Sequence, residues 1–148
     1  MLFRSGKMDN RVIAAYQQLG FKIVVDPSVN YSGYFDARSR SITMKQIDDS
    51  VYHELGHFLA FIAGNVDKTA SFQSIFAAEK ANVTAFNKAY VTQNASEYFA
   101  ESVKDYILNN ASLKSTRPQT YAAVQNALNQ ITDAQIAKIQ KIYGAFWN

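Results

Sequence analysis

Apolar positions fall into two regimes along the chain, and the change between them comes near residue 48. After Asp9, a plausible N-cap, Val12, Ile13, Tyr16 and Leu19 recur at helical spacing and Gly20 supplies the stop, which predicts a short amphipathic helix. Phe21 to Val25 is a β-rich run ended by Asp26-Pro27, because proline restricts the residue before it and brings no donor. Tyr34-Phe35-Asp36 and Ser41-Ile42-Thr43-Met44 flank the polar stretch Ala37 to Arg40 and predict a hairpin, with Asp36, Arg38 and Arg40 read as a solvated turn.

From Asp48-Asp49-Ser50 onward the helical period takes over and does not change back. Helices are predicted over residues 49–63, 69–82, 94–110, 118–130 and 133–146, the fourth opened by Pro118, while 83–93 carries no decisive pattern. In the last of these, Ile136, Ile139, Ile142, Tyr143 and Phe146 continue from Ile131 as a core stripe, with Lys138 and Lys141 on a solvated face. No internal repeat or low-complexity segment interrupts the pattern. The expected fold is α+β: a small amino-terminal helix and β-sheet packed on a mostly helical carboxy-terminal part, forming a single domain over residues 1–148.

Composition narrows the function classes. The chain is 48% apolar and 14% aromatic, enough for a substantial core. Its 15 Lys and Arg against 12 Asp and Glu are scattered, so nucleic acid is not an expected partner. With no cysteine, any metal must be held by His, Asp or Glu. No apolar run approaches the roughly 20 residues that a membrane-spanning helix needs. The opening MLFRSGKMDN lacks the apolar centre of a secretory signal, which reads as an intracellular protein or a mature piece of an exported one. A monomer is expected.

The only two histidines, His53 and His57, lie four apart on a predicted helix in the sequence H-E-L-G-H, the zincin signature. By chance this coincidence is on the order of a few in ten thousand. Residues i and i+4 lie about 40° apart around a helix, so both imidazoles can reach one ion and leave positions open. Glu54, about 100° round from His53, is poorly placed as a ligand but well placed to take a proton from the attacking water, so its expected role is general base. Val51, Leu55, Phe58, Leu59 and Ile62 supply a core stripe on the other face, and Ala60 and Gly64 leave the histidine face uncrowded.

A catalytic zinc takes a third protein ligand and keeps an open position. The extended H-E-x-x-H-x-x-G-x-x-H form is excluded by Ala60 and Ala63. Of the glutamates Glu54, Glu79, Glu97 and Glu101, the last two sit four apart on a helix. Like charges at that spacing disfavour an isolated helix, so a cation facing them makes sense of the pair, against the plainer reading of a solvated acidic face beside Lys104. Spacing alone leaves Glu97 and Glu101 both open.

Over residues 49–130 the chain resembles the catalytic domain of anthrax lethal factor and the related bacterial Pro-Pro endopeptidases, zinc metallopeptidases of the gluzincin type. The likeness is carried by HELGH at 53–57, TASFQSIFAAEK at 69–80, SEYFAES at 96–102 and STRPQTYAAVQNAL at 115–128. It implies a zincin-like fold, one Zn2+ per chain held by His53, His57 and Glu97, and Glu101 orienting a histidine ligand or the substrate. The tyrosine that assists this family falls seven residues before the ligand glutamate, at Tyr90, where it would donate to the developing oxyanion. Two departures stand out: Ser96 occupies the place of the first of two adjacent glutamates in the Pro-Pro endopeptidases, and Trp147 near the end is the only tryptophan, so their tryptophan-bearing substrate loop has no match. The resemblance also implies secretion from a Gram-positive bacterium or a toxin-like role.

The expected function is therefore a zinc-dependent endopeptidase acting on peptide or protein substrates. Ser41, Ile42, Thr43 and Met44, which precede the histidine helix, are expected to be the sheet edge that binds the substrate as an added strand. The rival readings are a catalytically inactive zinc-containing recognition module of a toxin-like protein, and an intracellular peptidase with a single partner.

Overall fold

The computed structural model describes residues 7–147; residues 1–6, the larger part of the opening MLFRSGKMDN on which the expectation about a secretory signal rests, and residue 148 lie outside them. Helix α1 (Asn10–Gln18) starts where Asp9 accepts a hydrogen bond from the Arg11 amide and ends before Gly20 at φ 82°. Strands β1 (Lys22–Val25), β2 (Gly33–Asp36) and β3 (Ser41–Met44) follow. The remainder is helical: α2 (Ser50–Ile62), α3 (Ala70–Glu79), α4 (Lys88–Val91), α5 (Ala95–Leu108), α6 (Asn110–Thr116), α7 (Pro118–Asn129) and α8 (Asp133–Trp147). The fold is α+β, as the pattern predicts. Among the described residues no helix is long and apolar enough to cross a membrane.

The hairpin forms as expected, with Asp36 opposite Ser41 and Gly33 opposite Met44. The sheet order, however, is β1-β3-β2, because β1 pairs in parallel along the other side of β3. Ser41, Ile42, Thr43 and Met44 therefore form the central strand, hydrogen-bonded on both sides, with Ile42 and Met44 wholly buried. A strand with no unpaired backbone cannot accept another, so the expectation that these four residues are the substrate-binding edge is corrected. The free edge next to the histidine helix belongs to β2.

A continuous core joins the sheet to the helices. Tyr16, Phe21 and Phe58 meet with ring centroids 4.9–5.3 Å apart, and the predicted inner stripe of α2 (Val51, Leu55, Phe58, Leu59 and Ile62) is buried throughout. Arg40 is not part of a solvated turn. At φ 54° it sends its guanidinium to the Leu19 and Trp147 carbonyls and lies 5.1 Å from the Trp147 ring, tying α1 and the hairpin to the carboxy terminus. The α8 stripe is also corrected: Ile142 and Phe146 are exposed, while Tyr143 and Trp147 pack on Phe61. Fifteen helical residues carry the stripe gradually round the axis, and the contact with Phe61 selects which positions face in.

The predicted helix over 94–110 ends at Leu108 and a separate α6 follows, because Asn109 (φ −136°) leaves the helical region. The undecided stretch contains only the short α4. Two buried groups brace this region. Glu79, at the end of α3, accepts from the Gln119 and Thr120 amides and the Thr120 hydroxyl, capping α7 in place of Arg117, which makes no side-chain cap. Arg117 instead points inward to Asp105 at 2.6 Å and lies over Tyr98.

Candidate metal centre

Helix α2 begins where Asp48 accepts hydrogen bonds from the Ser50 amide and hydroxyl, and its apolar face is held in the core. With that face fixed, His53, Glu54 and His57 are turned to the opposite side, toward α5. The two helices run antiparallel, since His53 faces Glu101 and Glu97 whereas His57 faces Glu97 alone.

Gly56 sets how near they come. A Cβ there would lie 2.7 Å from the Ala100 carbonyl oxygen and 2.8 Å from its Cα, so only a residue without a side chain lets the α5 backbone sit this close. At the other end Asn94 accepts from the Glu97 amide at 2.8 Å as the N-cap of α5, and the Ser96 hydroxyl donates to buried Asp67 at 2.8 Å. These contacts place Glu97 opposite the histidines.

The result is a convergence on one oxygen. Glu97 Oε1 lies 2.9 Å from His53 Nε2 and 3.1 Å from His57 Nε2, and the Tyr90 hydroxyl donates to the same oxygen at 3.5 Å. Glu101 Oε1 takes the far side of the first ring, 2.8 Å from His53 Nδ1. Ligand atoms from His53, His57 and Glu97 all lie within 4.8 Å of one another, a compact trio able to hold a metal ion. The pairing of Glu101 with Nδ1 turns His53 Nε2 toward Glu97, the arrangement by which a carboxylate fixes a histidine ligand.

Electrostatics follow from this packing. Burial alone would depress the His53 imidazole, but the carboxylates of Glu101 and Glu97 overturn that and hold it up to about 9. Hydrogen bonds from His53 and His57 hold Glu97 far below the usual carboxylate range. Burial raises Glu101, and the His53 hydrogen bond together with the positive charges of His53, Lys104 and Arg117 more than reverses it. Glu54, only 7% exposed, is pushed above its ordinary value chiefly by burial, against the nearby histidines. Its carboxylate accepts from the Phe35 amide of β2, and Gly33 is the residue that lets that strand lie on it, since a Cβ would come 2.9 Å from Glu54 Cγ.

With this geometry in place, the comparisons decide the family. The model described as "Anthrax toxin lethal factor, N- and C-terminal domain" matches residues 6–127. The chain belongs to this family. A protein named Pro-Pro endopeptidase from Clostridioides difficile (strain 630) is 41% identical over 78 residues, covering 50% of this chain and 34% of the relative. The chain thus spans about a third of that protein's length.

All five residues expected at the centre (His53, Glu54, His57, Glu97 and Tyr90) come together in this lethal-factor-like chain, and Glu101 joins them behind His53; Ser41–Met44 do not. Four contributors escaped the sequence reading: Gly56, Gly33, Asn94 and Asp67. Gly56 alone left a signal, since a glycine in mid-helix costs about 1 kcal/mol relative to alanine and so marks a close backbone approach.

Proposed function

We propose that this chain is a zinc-dependent endopeptidase in which His53, His57 and Glu97 hold the metal. The reading is carried by one observation: both imidazole Nε2 atoms converge on a single Glu97 oxygen while Glu101 occupies His53 Nδ1. Two imidazoles and a carboxylate are the donor set that suits zinc with an open position. When bound there, zinc polarises the scissile carbonyl and acidifies a water.

The remaining work falls to the chain. Glu54, nearly buried and raised above its ordinary value chiefly by that burial, accepts the proton of the attacking water and passes it to the departing amine. Tyr90, 54% exposed at the mouth of the centre, donates its hydroxyl to the oxyanion as it develops. The free edge of β2, with Gly33 and Phe35 against Glu54 and the Phe35 ring stacked 6.5 Å from His57, receives the peptide as an added strand. An extracellular peptide or protein is the proposed substrate class.

The test is cleavage of a mixed peptide library by zinc-loaded protein, read by mass spectrometry with and without chelator. Chelator-sensitive cuts at defined positions are expected and would reveal any Pro-Pro preference; a zinc-loaded protein that cuts nothing rejects the reading. Replacing Tyr90 with Phe should lower kcat about 100-fold with KM little changed, because one oxyanion donor is lost and the ring is kept.

Zinc must displace the His53 proton, whose metal-free pKa near 9 lies above the ordinary 6.5. Apparent zinc affinity should therefore rise about tenfold per pH unit between roughly pH 7 and 9 and flatten above, as measured by competition with a chromophoric chelator. In the metal-free protein the sign is opposite: the raised pKa contributes stability that is full below about 6.5 and lost as pH rises through about 9. Glu101→Ala should weaken zinc binding about 10- to 100-fold, since it removes the group that orients His53.

A further inference from the structure

Beside the catalytic helix a cleft of about 770 Å³ runs from His53, Glu54 and Tyr90 along α5 to Asn109. The charges that line it are nearly all matched. Glu101 is bound to His53, Glu54 accepts from the Phe35 amide, and Asp105 is bound to Arg117, whose second nitrogen donates to Ser102. Lys104 is the exception. This half-buried lysine makes no hydrogen bond or ion pair among the described residues, and Asp48 and Glu101 influence it only through space.

Its position on α5 gives the vacancy a meaning. Lys104 lies three residues after Glu101 and seven after Glu97, so the three share one helical face, with Lys104 about 10 Å along the axis from Glu97. A peptide lying along α5 would advance about 3.3 Å per residue, so that distance would correspond to roughly three residues from the bond being cut. The same cleft is also lined by the uncharged polar residues Ser50, Asn109, Ser112 and Thr116. Such a cleft offers one ammonium without a hydrogen-bonded partner among the described residues, with uncharged polar groups in the same cleft and the Asp48 and Glu101 carboxylates acting on it only through space.

We propose that Lys104 is a specificity-determining residue that binds a carboxylate of the substrate roughly three residues from the scissile bond. The proposal rests on the endopeptidase reading for the location of that bond. The carboxylate comes either from an Asp or Glu side chain or from the free end of a short peptide. Glu101 already has His53 as its hydrogen-bonded partner and feels Lys104 only through space, which leaves the ammonium free for substrate selection.

The test measures binding separately from cleavage. Fluorescein-labelled decapeptides centred on Ala-Ala or Pro-Pro, with a single Glu or Gln scanned through the flanking positions and the carboxy terminus free or amidated, are titrated against zinc-loaded Glu54→Gln protein by anisotropy. At one position, Glu is expected to bind about five- to tenfold more tightly than Gln, the range of a partly exposed to charge-assisted pair, and the preference should shrink in high salt. Lys104→Met should abolish that ratio and Lys104→Arg retain it. A preference for the free over the amidated end, without one for internal Glu, would name the chain terminus as the source. Equal affinities for Glu and Gln and for both ends, a preference that survives Lys104→Met, or no binding by any peptide overturns the proposal. Cleavage by the unmodified protein judges the peptidase reading independently: a Lys104-dependent preference in binding without any cleavage would keep the subsite and reject the catalysis.

Discussion

Glu54→Gln is expected to lower kcat/KM for peptide hydrolysis by about 10²–10⁴-fold while zinc stoichiometry stays at one per chain. The substitution replaces a carboxylate with an amide of the same shape, and the oxygen that accepts from the Phe35 amide is retained. What disappears is the capacity to take a proton. Because Glu54 is not among the three groups able to hold the metal, zinc affinity should change little. The side chain is nearly buried and its charged form is already disfavoured there, so the neutral variant should melt at the same temperature or higher. The decisive pattern is lost hydrolysis with intact zinc content and an unchanged or raised Tm. Unchanged hydrolysis would remove Glu54 from the chemistry, and lost zinc would show that its role is structural.

Gly56→Ala is expected to be strongly destabilising although it adds only one methyl group. The added Cβ would fall 2.7–2.8 Å from backbone atoms of Ala100, which cannot rotate away as a side-chain tip can, so α5 must move. Overpacking of this kind costs typically 1–3 kcal/mol, and contact with backbone puts the expected value near 3. At 2–4 °C per kcal/mol for a chain of this size, Tm should drop by about 6–12 °C. A displacement of α5 also carries Glu97 and Glu101 away from both histidines, so zinc affinity should fall by about 100-fold in whatever protein remains folded. The control is Gly144→Ala in α8, where a Cβ meets only the end of the Gln140 side chain at 3.2 Å. That variant should change stability by less than about 1 kcal/mol, since removal of a helical glycine offsets the tight contact. Similar effects at both positions, read by thermal denaturation and zinc titration, would mean that the close approach of α2 and α5 is not what assembles the centre.

Much of this protein is legible one residue at a time. The 3.6-residue period places α1, α2, α5, α7 and α8, because each is an amphipathic segment whose apolar stripe is local information, while α3 is marked by its Thr69 N-cap. The His53-Glu54-His57 spacing lies within little more than one helical turn, so the two imidazoles and the proposed base can be named without any partner element. Even Glu97 and Glu101 were visible as an unusual like-charged pair, although their different tasks were not separable by spacing.

Tertiary structure decided what depends on distant pairing. The division of labour between Glu97 and Glu101 follows from the antiparallel approach of α5 at Gly56, which sets one carboxylate against both Nε2 atoms and the other behind His53. Which strand forms an edge turned on β1 pairing in parallel across a connection that includes Asp26-Pro27, a non-local choice that buries Ser41–Met44 and leaves β2 free over Glu54. Arg40, Glu79 and Asp67 act across 21, 40 and 29 residues to brace the scaffold, and no window of sequence contains both ends of those contacts. The sequence determined the candidate groups and the helices that carry them because periodicity and short spacing are local; only the packed chain determined which atom each group faces, because that is a property of surfaces brought together from far apart.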